Sequence, residues 1–466
     1  MAVLPLRARA CVVGVVTSAL VLLGAAPARA QNADPFFYGD EAALSGGAVV
    51  ATGRDSSAFW YNPAGFGGLQ RGLVSASGTT FGLRFRTIPN ALRVRVGGRE
   101  TGSSISSTDV VSVPNAIVVA TKLTPRIALA GGLLVTARDV RSALVREPER
   151  QETSAAGEPV ALAQRLDVQA DLSKYHFGAA LGAALTDRLR VGLSLFGTYS
   201  KETGSVQYSL SARSAGANPT GEAAFAIYNE RVTTSAFGVA ATAGIQWQPS
   251  DEISLGLAVR SPEVALTGSS EGGAVIGQAN AGGTDPATAT LQGVPPPQLA
   301  EGGTLLTPAR VLVGVAIPLG RRESWVELGA DASHGLPETG LIEAREPTVN
   351  ARVGARYMLS PEWILGGGVF TDRATLKAIP EFVGSDRVDY YGLAAGVSKR
   401  TPLGLTTDPS PEALLLVTTF SLRAAVGIGQ ARAETLDFDN PDAVRDDRSD
   451  VTFVDLMPYI GSSVAF

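Results

Sequence analysis

Cysteine is almost absent from this chain: the one example, Cys11, falls within the first thirty residues. No internal disulfide is available, so a secreted form must rely on its own hydrogen-bonded architecture, which a closed β-barrel supplies. Histidine is nearly as scarce. His176 and His334 are the only two, neither in a Gly-x-Ser-x-Gly context, whereas an activated nucleophile ordinarily needs a His paired with Ser or Asp. Clustered His and Cys ligands are missing as well, so no catalytic residue, metal or cofactor is expected. There is no basic run, and the formal net charge of -5 argues against a nucleic-acid partner. After residue 30 no apolar stretch approaches the roughly 20 residues of a membrane-spanning helix, although mean hydropathy is slightly positive.

What is present begins with a secretory pattern over residues 1–30. Arg7 and Arg9 precede an apolar run from Cys11 to Leu23, which ends in Ala28-Arg29-Ala30. The run is too short for a membrane anchor, and cleavage after Ala30 would leave Gln31 as the first mature residue. At the other end, the segment from Val451 to Phe466 places Ile460, Val464 and Phe466 on one face and closes on an aromatic residue. That is the form read by the barrel assembly machinery of the bacterial outer membrane, and Phe466 is expected to present it.

From about residue 70 onward, short alternating segments recur without a domain division. Ile253, Leu255, Leu257 and Val259 share one face of a strand whose other face carries Glu252, Ser254, Gly256, Ala258 and Arg260. The stretches from Arg188 to Tyr199 and from Val349 to Tyr357 repeat the scheme, the latter with Asn350, Arg352 and Arg356 on its polar face. In a transmembrane barrel every second residue faces lipid, so apolar character is spread over many strands of about 9 to 11 residues. The expected fold is therefore all-β: a transmembrane antiparallel β-barrel of 14 strands over residues 70–466. Centres fall near 78, 94, 115, 131, 178, 194, 208, 236, 256, 314, 328, 353, 366, 393, 420 and 459, with those near 94 and 208 the weakest. Alternation by itself also suits a soluble β-sandwich. Pro458 is expected near a strand's beginning or at a bulge. Residues 142–160, 268–308 and 430–450 read as extracellular loops, and Thr124-Pro125, Pro249-Ser250-Asp251 and Ser360-Pro361-Glu362 as tight periplasmic links.

Residues 31–69 do not alternate. They gather Phe36, Phe37, Tyr38, Phe59, Trp60 and Tyr61 in a chain otherwise poor in aromatics, and their apolar, Gly-rich composition favours a place inside the lumen.

Within that segment, Asn62-Pro63-Ala64, preceded by an aromatic pair and small residues, resembles the hatch motif of the FadL-type outer-membrane transporters of long-chain fatty acids and other hydrophobic compounds. Further similarities run in order along the chain. They are Val113-Pro114-Asn115 with Leu123-Thr124-Pro125, the hairpin from Trp247 to Arg260-Ser261-Pro262, Thr307-Pro308-Ala309-Arg310, and Gly368 to Arg373 followed by Ile379-Pro380 and Asp386-Arg387.

The resemblance implies a monomeric fourteen-stranded barrel, blocked by an N-terminal hatch over residues 31–69, that passes hydrophobic ligands without ATP. Capture outside, movement of the hatch and sideways release through a gap beside a kinked early strand would follow. Fatty acids or aromatic hydrocarbons would be the small-molecule partners, with outer-membrane lipid around the barrel. A porin for polar solutes, or a surface-structural or adhesin barrel, is the alternative. Pro63 would fix its own backbone and restrain Asn62, whose amide can satisfy unpaired backbone groups. One departure stands out: where the family pattern has a Gly in the kinked strand, this chain reads Thr136-Ala137-Arg138-Asp139-Val140, which leaves the position and existence of the gap open. No motif covers the ligand pocket. Arg260, Arg352 and Arg356 are simply the polar-face cations that a carboxylate could use.

Overall fold

The computed structural model describes residue 32 and residues 35–466, apart from 97, 154–158, 216–222, 283–284, 295–302, 321–322, 340–342, 380–384, 404–413 and 438–446. The expected leader, 1–30, lies outside the described residues. A short helix α1 (Asp40–Leu44) and two 3-10 turns, Ser56–Phe59 and Pro63–Gly68, precede the strands. These are β1 (Leu73–Val96), β2 (Arg99–Thr124), β3 (Ile127–Thr153), β4 (Pro159–Ala184), β5 (Leu189–Ser214) and β6 (Ala223–Ser250). Then come β7 (Ile253–Arg260), β8 (Glu263–Gly282), β9 (Asp285–Val294), β10 (Leu305–Thr307), β11 (Arg310–Pro318) and β12 (Trp325–Ser333). The last are β13 (Thr348–Met358), β14 (Trp363–Asp372), β15 (Asp386–Leu403), β16 (Leu414–Asp437) and β17 (Asp447–Ala465).

β1 pairs antiparallel with both β2 and β17, which closes the sheet on itself. β7 and β8 lie end to end along β6, interrupted at Ser261-Pro262, and β10 and β11 lie end to end along that same line. β9 pairs with β8 outside the ring. The ring is thus a closed antiparallel barrel of fourteen staves, with no strand edge left around its base.

Exposure settles which face meets lipid. On β11, Val311, Val313, Val315 and Ile317 are exposed, while Arg310, Leu312 and Ala316 are buried. On β13, Val349, Val353 and Tyr357 are exposed, and Asn350, Arg352 and Arg356 are buried. Apolar outside and charged inside is the reverse of a soluble sandwich, whose apolar faces meet in a core, and it is the pattern of a barrel bathed in lipid.

Three sequence expectations need correction. Strands β1 to β6 have 24 to 28 residues, far beyond the 9 to 11 that cross a bilayer. The weak centres near 94 and 208 are therefore the outer halves of β1 and β5. In β1 the join is a bulge between Ile88 and Leu92, with Asn90 at φ 48°, which broke the alternation. The supposed loops are largely ladder too: β3 runs to Thr153, β8 and β9 occupy most of 263–294, and β16 and β17 flank 438–446. Beyond the membrane no lipid imposes a two-residue period, yet backbone groups still gain by pairing with the next strand. Pro458 meets its expectation, since the β1–β17 register shifts between Thr79 and Leu83 beside it.

If the outward face of β11 meets hydrocarbon, Val313→Arg should cost about 2–4 kcal/mol of unfolding free energy in lipid vesicles near mid-membrane. Denaturant titration measures this, and an unchanged midpoint would contradict the lipid assignment.

Candidate functional site

The residues ahead of β1 lie against the inner wall. Phe36, Tyr38, Phe59, Tyr61 and Phe66 are fully buried there. They come this close because the facing wall positions are bare backbone. A Cβ on Gly192 would sit 2.3 Å from the Pro63 carbonyl carbon, one on Gly244 2.0 Å from the Asn62 amide oxygen, and one on Gly256 2.3 Å from the Val50 oxygen. Gly354 and Gly368 meet Ser45 in the same way, each at 2.3 Å.

Hydrogen bonds fix the segment around the ring. Glu327 on β12 accepts from the Ala51 amide (2.9 Å) and the Thr52 hydroxyl (2.7 Å). Gln246 donates to Val50 and Gly53, Ser194 to the Phe59 carbonyl, and Ser421 to the Ala43 carbonyl. Asp40 accepts from Tyr459 (3.0 Å) and Ser463, and Glu41 ion-pairs with Arg356. Burial pushes the Asp40 carboxyl up to about 6, and burial with the neighbouring Glu41 and Asp40 charges pushes Asp55 up to about 7. Both values lie above the ordinary 3.8, so protonation favours the seated segment; this contribution is lost as pH rises through about 6 and about 7.

Asn62, Pro63 and Ala64 lie against β5, β6 and β7. The Asn62 amide donates to the carbonyls of Val50 (2.7 Å) and Ile245 (3.0 Å), and its oxygen caps the Ala64 amide at 3.2 Å, with Pro63 opening the 3-10 turn. Trp60, two residues earlier, packs on His176 of β4 (5.0 Å) and under the Arg260 guanidinium (3.6 Å), which also donates to the Trp60 carbonyl.

Opposite His176 the wall divides. The β2–β3 ladder runs from Thr124↔Ile127 only as far as Ala116↔Leu134, while β2 continues with β1 up to Arg99 and β3 with β4 up to Thr153. The β3–β4 register skips Thr136 at that level. The Thr136 carbonyl accepts from Tyr38 of the lumen segment, and its hydroxyl meets His176 Nδ1 at 2.9 Å. At roughly 3.3 Å per residue and a tilt of about 40°, the paired part rises about 20 Å above the tight turn, inside an apolar band about 25 Å tall.

The fold has solved counterparts. The structure matches a FadL homologue of Pseudomonas aeruginosa with a TM-score of 0.55 at 11% identity, over 94% of this chain and 99% of that one. The chain has a FadL-type fold. It also matches the toluene transporter TodX of P. putida with a TM-score of 0.50 at 11% identity, over 92% of this chain and 98% of that one. No family model matches the sequence, and no curated protein matches it.

Within this FadL-type barrel the three arginines singled out from the sequence are all engaged by the protein itself. Arg260 serves Trp60, Arg356 serves Glu41, and Arg352 joins Arg310 on the buried Asp331 at 3.1 Å and 2.7 Å. A different cation, missed in the sequence, stands out. Arg423 on β16 is 4% exposed, with its guanidinium carbon 4.7 Å from the Phe370 ring centre and 5.9 Å from that of Phe37. Its one hydrogen-bond acceptor is the Met457 sulfur at 3.9 Å, its Nε has none, and no carboxylate among the described residues ion-pairs with it. Nothing in the local sequence distinguishes Arg423 from the other inward arginines. The wall glycines were legible only as relief of crowding.

Asn62→Ala removes, among others, the bonds to Val50 and Ile245 and the Ala64 cap, each worth about 1 kcal/mol. Amide exchange across residues 50–69 should accelerate while β11 to β17 stay protected; unchanged protection would deny Asn62 its fastening role.

Proposed function

We propose that the protein carries hydrophobic molecules, long-chain fatty acids foremost, passively across the bacterial outer membrane. In this reading residues 31–69 are a hatch within the 70–466 barrel, Asn62, Pro63 and Ala64 hold it, and cargo leaves sideways between β2 and β3. Phe466 then serves assembly, and the barrel works as a monomer without catalysis. The observation that carries the reading is the divided wall at Thr136, reached by the aromatic segment inside and set at the height of the apolar band outside. A lateral exit spares an apolar cargo the aqueous route, where each exposed CH₂ costs roughly 0.8 kcal/mol.

An acidic head group is supported by Arg423. A buried guanidinium with no carboxylate in direct contact is costly; Asp455 and Asp372 act on it only from a longer range, and a ligand carboxylate would supply the close partner, with Phe37, Phe370 and Met457 as an apolar surround. In purified protein, Arg423→Leu should weaken oleate binding by at least about tenfold, equivalent to about 1.4 kcal/mol, and leave oleyl alcohol unaffected. Equal loss of both ligands would assign Arg423 to structure alone.

The deciding experiment is uptake of labelled oleate by Gram-negative cells lacking their own fatty acid transporter, complemented with this protein or its Asn62→Ala, Pro63→Ala variant at equal surface assembly. Uptake that falls with the variant supports hatch-gated transport of fatty acids. Absence of uptake from a well-assembled barrel rejects oleate and moves the test to toluene.

A further inference from the structure

The strand that leaves the wall has no glycine at 136–140 to ease its departure, but it carries a charge cluster that no ladder position requires. Asp139 on β3 accepts from Arg84 (2.8 Å) and Arg86 (3.0 Å) of β1 through one oxygen and from Arg141 (2.9 Å) through the other. Arg84 also donates to the Arg138 carbonyl, and Arg141 passes across the lumen to Asp386 of β15 at 2.5 Å. The remaining anions are more distant: Asp455 of β17 lies 3.7 Å from Arg84, and Asp109 of β2 lies 3.7 Å from Arg86. The side chains of Arg84, Arg86, Asp139 and Asp386 are 5%, 9%, 15% and 6% exposed, so salt screens these pairs little.

We propose that Asp139 holds the barrel wall open, tying the upper half of β3 to β1 and β15 and away from β2. The cluster takes over what a glycine would permit. A glycine lets a strand bend, whereas these ion pairs pull the bent strand to a fixed place and supply polar partners where the β2 ladder is lost. The chemistry requires a carboxylate. Three guanidinium groups converge on one side chain, and an amide would offer one acceptor oxygen while turning its own N–H groups toward donors. Asp139 is a positioning residue and need not touch the cargo. The inference rests on lateral release as the route, since an opening matters only if cargo uses it.

Register provides a test that does not depend on cargo. The ladder pairs Ala116 with Leu134 and Ile117 with Leu133, and its continuation would bring Val110 opposite Val140. Cys11 is the only native cysteine, so Val110→Cys with Val140→Cys can be placed in a full-length Cys11→Ser background and oxidised in outer-membrane vesicles. We expect almost no cross-link in this parent, a predominantly cross-linked population once Asp139→Asn is added, and the parent pattern again with Asp139→Glu. Oleate uptake should fall several-fold in Asp139→Asn. Heat-modifiable migration checks assembly; should Asp139→Asn not assemble, Arg141→Gln, which removes the tie to β15 and Arg141's own bond to Asp139 but leaves Arg84 and Arg86 on Asp139, should raise cross-linking part of the way. A cross-linked parent, or an Asp139→Asn barrel as resistant to cross-linking as the parent, would overturn the proposal. Cross-linking that rises while uptake stays level would keep Asp139 in its role and reject the lateral route.

Discussion

Closure of the backbone hydrogen bonds governs this molecule. A strand in hydrocarbon cannot leave N–H and C=O groups to water, so the base of the barrel pairs every stave with two neighbours. The same demand extends the ladders far beyond the membrane, where paired hairpins replace the loops that composition implied. It also makes the separation of β2 from β3 conspicuous. There side chains replace the ladder: Tyr38 reaches the Thr136 carbonyl and Arg84 the Arg138 carbonyl.

The inner segment follows a second rule, that of close approach. Bare wall positions on β5, β6, β7, β13 and β14 let its backbone lie directly on the staves, and buried acids and amides then fasten it. Fastening is polar throughout, because the lumen face of a lipid-bathed barrel is the polar face. Such contacts can be exchanged for water or ligand more readily than a packed apolar core can be opened. Aromatic rings supply the apolar part, with Trp60, His176 and Phe196 joining the segment to β4 and β5 beside the divided wall.

Much of this was legible. The lipid-facing alternation of β7, β11 and β13 has a period of two because lipid lies on one side and polar side chains on the other, and any reader of the chain can count it. The concentration of six aromatics in 36–61 likewise announced an interior segment, and the sequence around Asn62 announced a turn. Asp139 and Arg423 were not legible. Each is one charge among many on inward faces, and what sets them apart is the partner: Arg141 meets a residue 245 positions away, and Arg423 packs on rings from two distant segments with no acid among the described residues in direct contact. The missing glycine at 136–140 was visible, but its replacement was not, since ion pairs among β1, β3 and β15 leave no mark on the spacing of any one of them.

The amino-acid sequence by itself determined an all-β barrel of fourteen staves, its lipid face and the burial of the aromatic residues between 36 and 61, because periodicity and local composition are properties of neighbouring residues. Only the tertiary structure decided where the wall divides, which arginines are already engaged and which one has no carboxylate in direct contact. Those outcomes depend on side chains brought together by the closing of the ring, and closure is a condition on all fourteen staves at once.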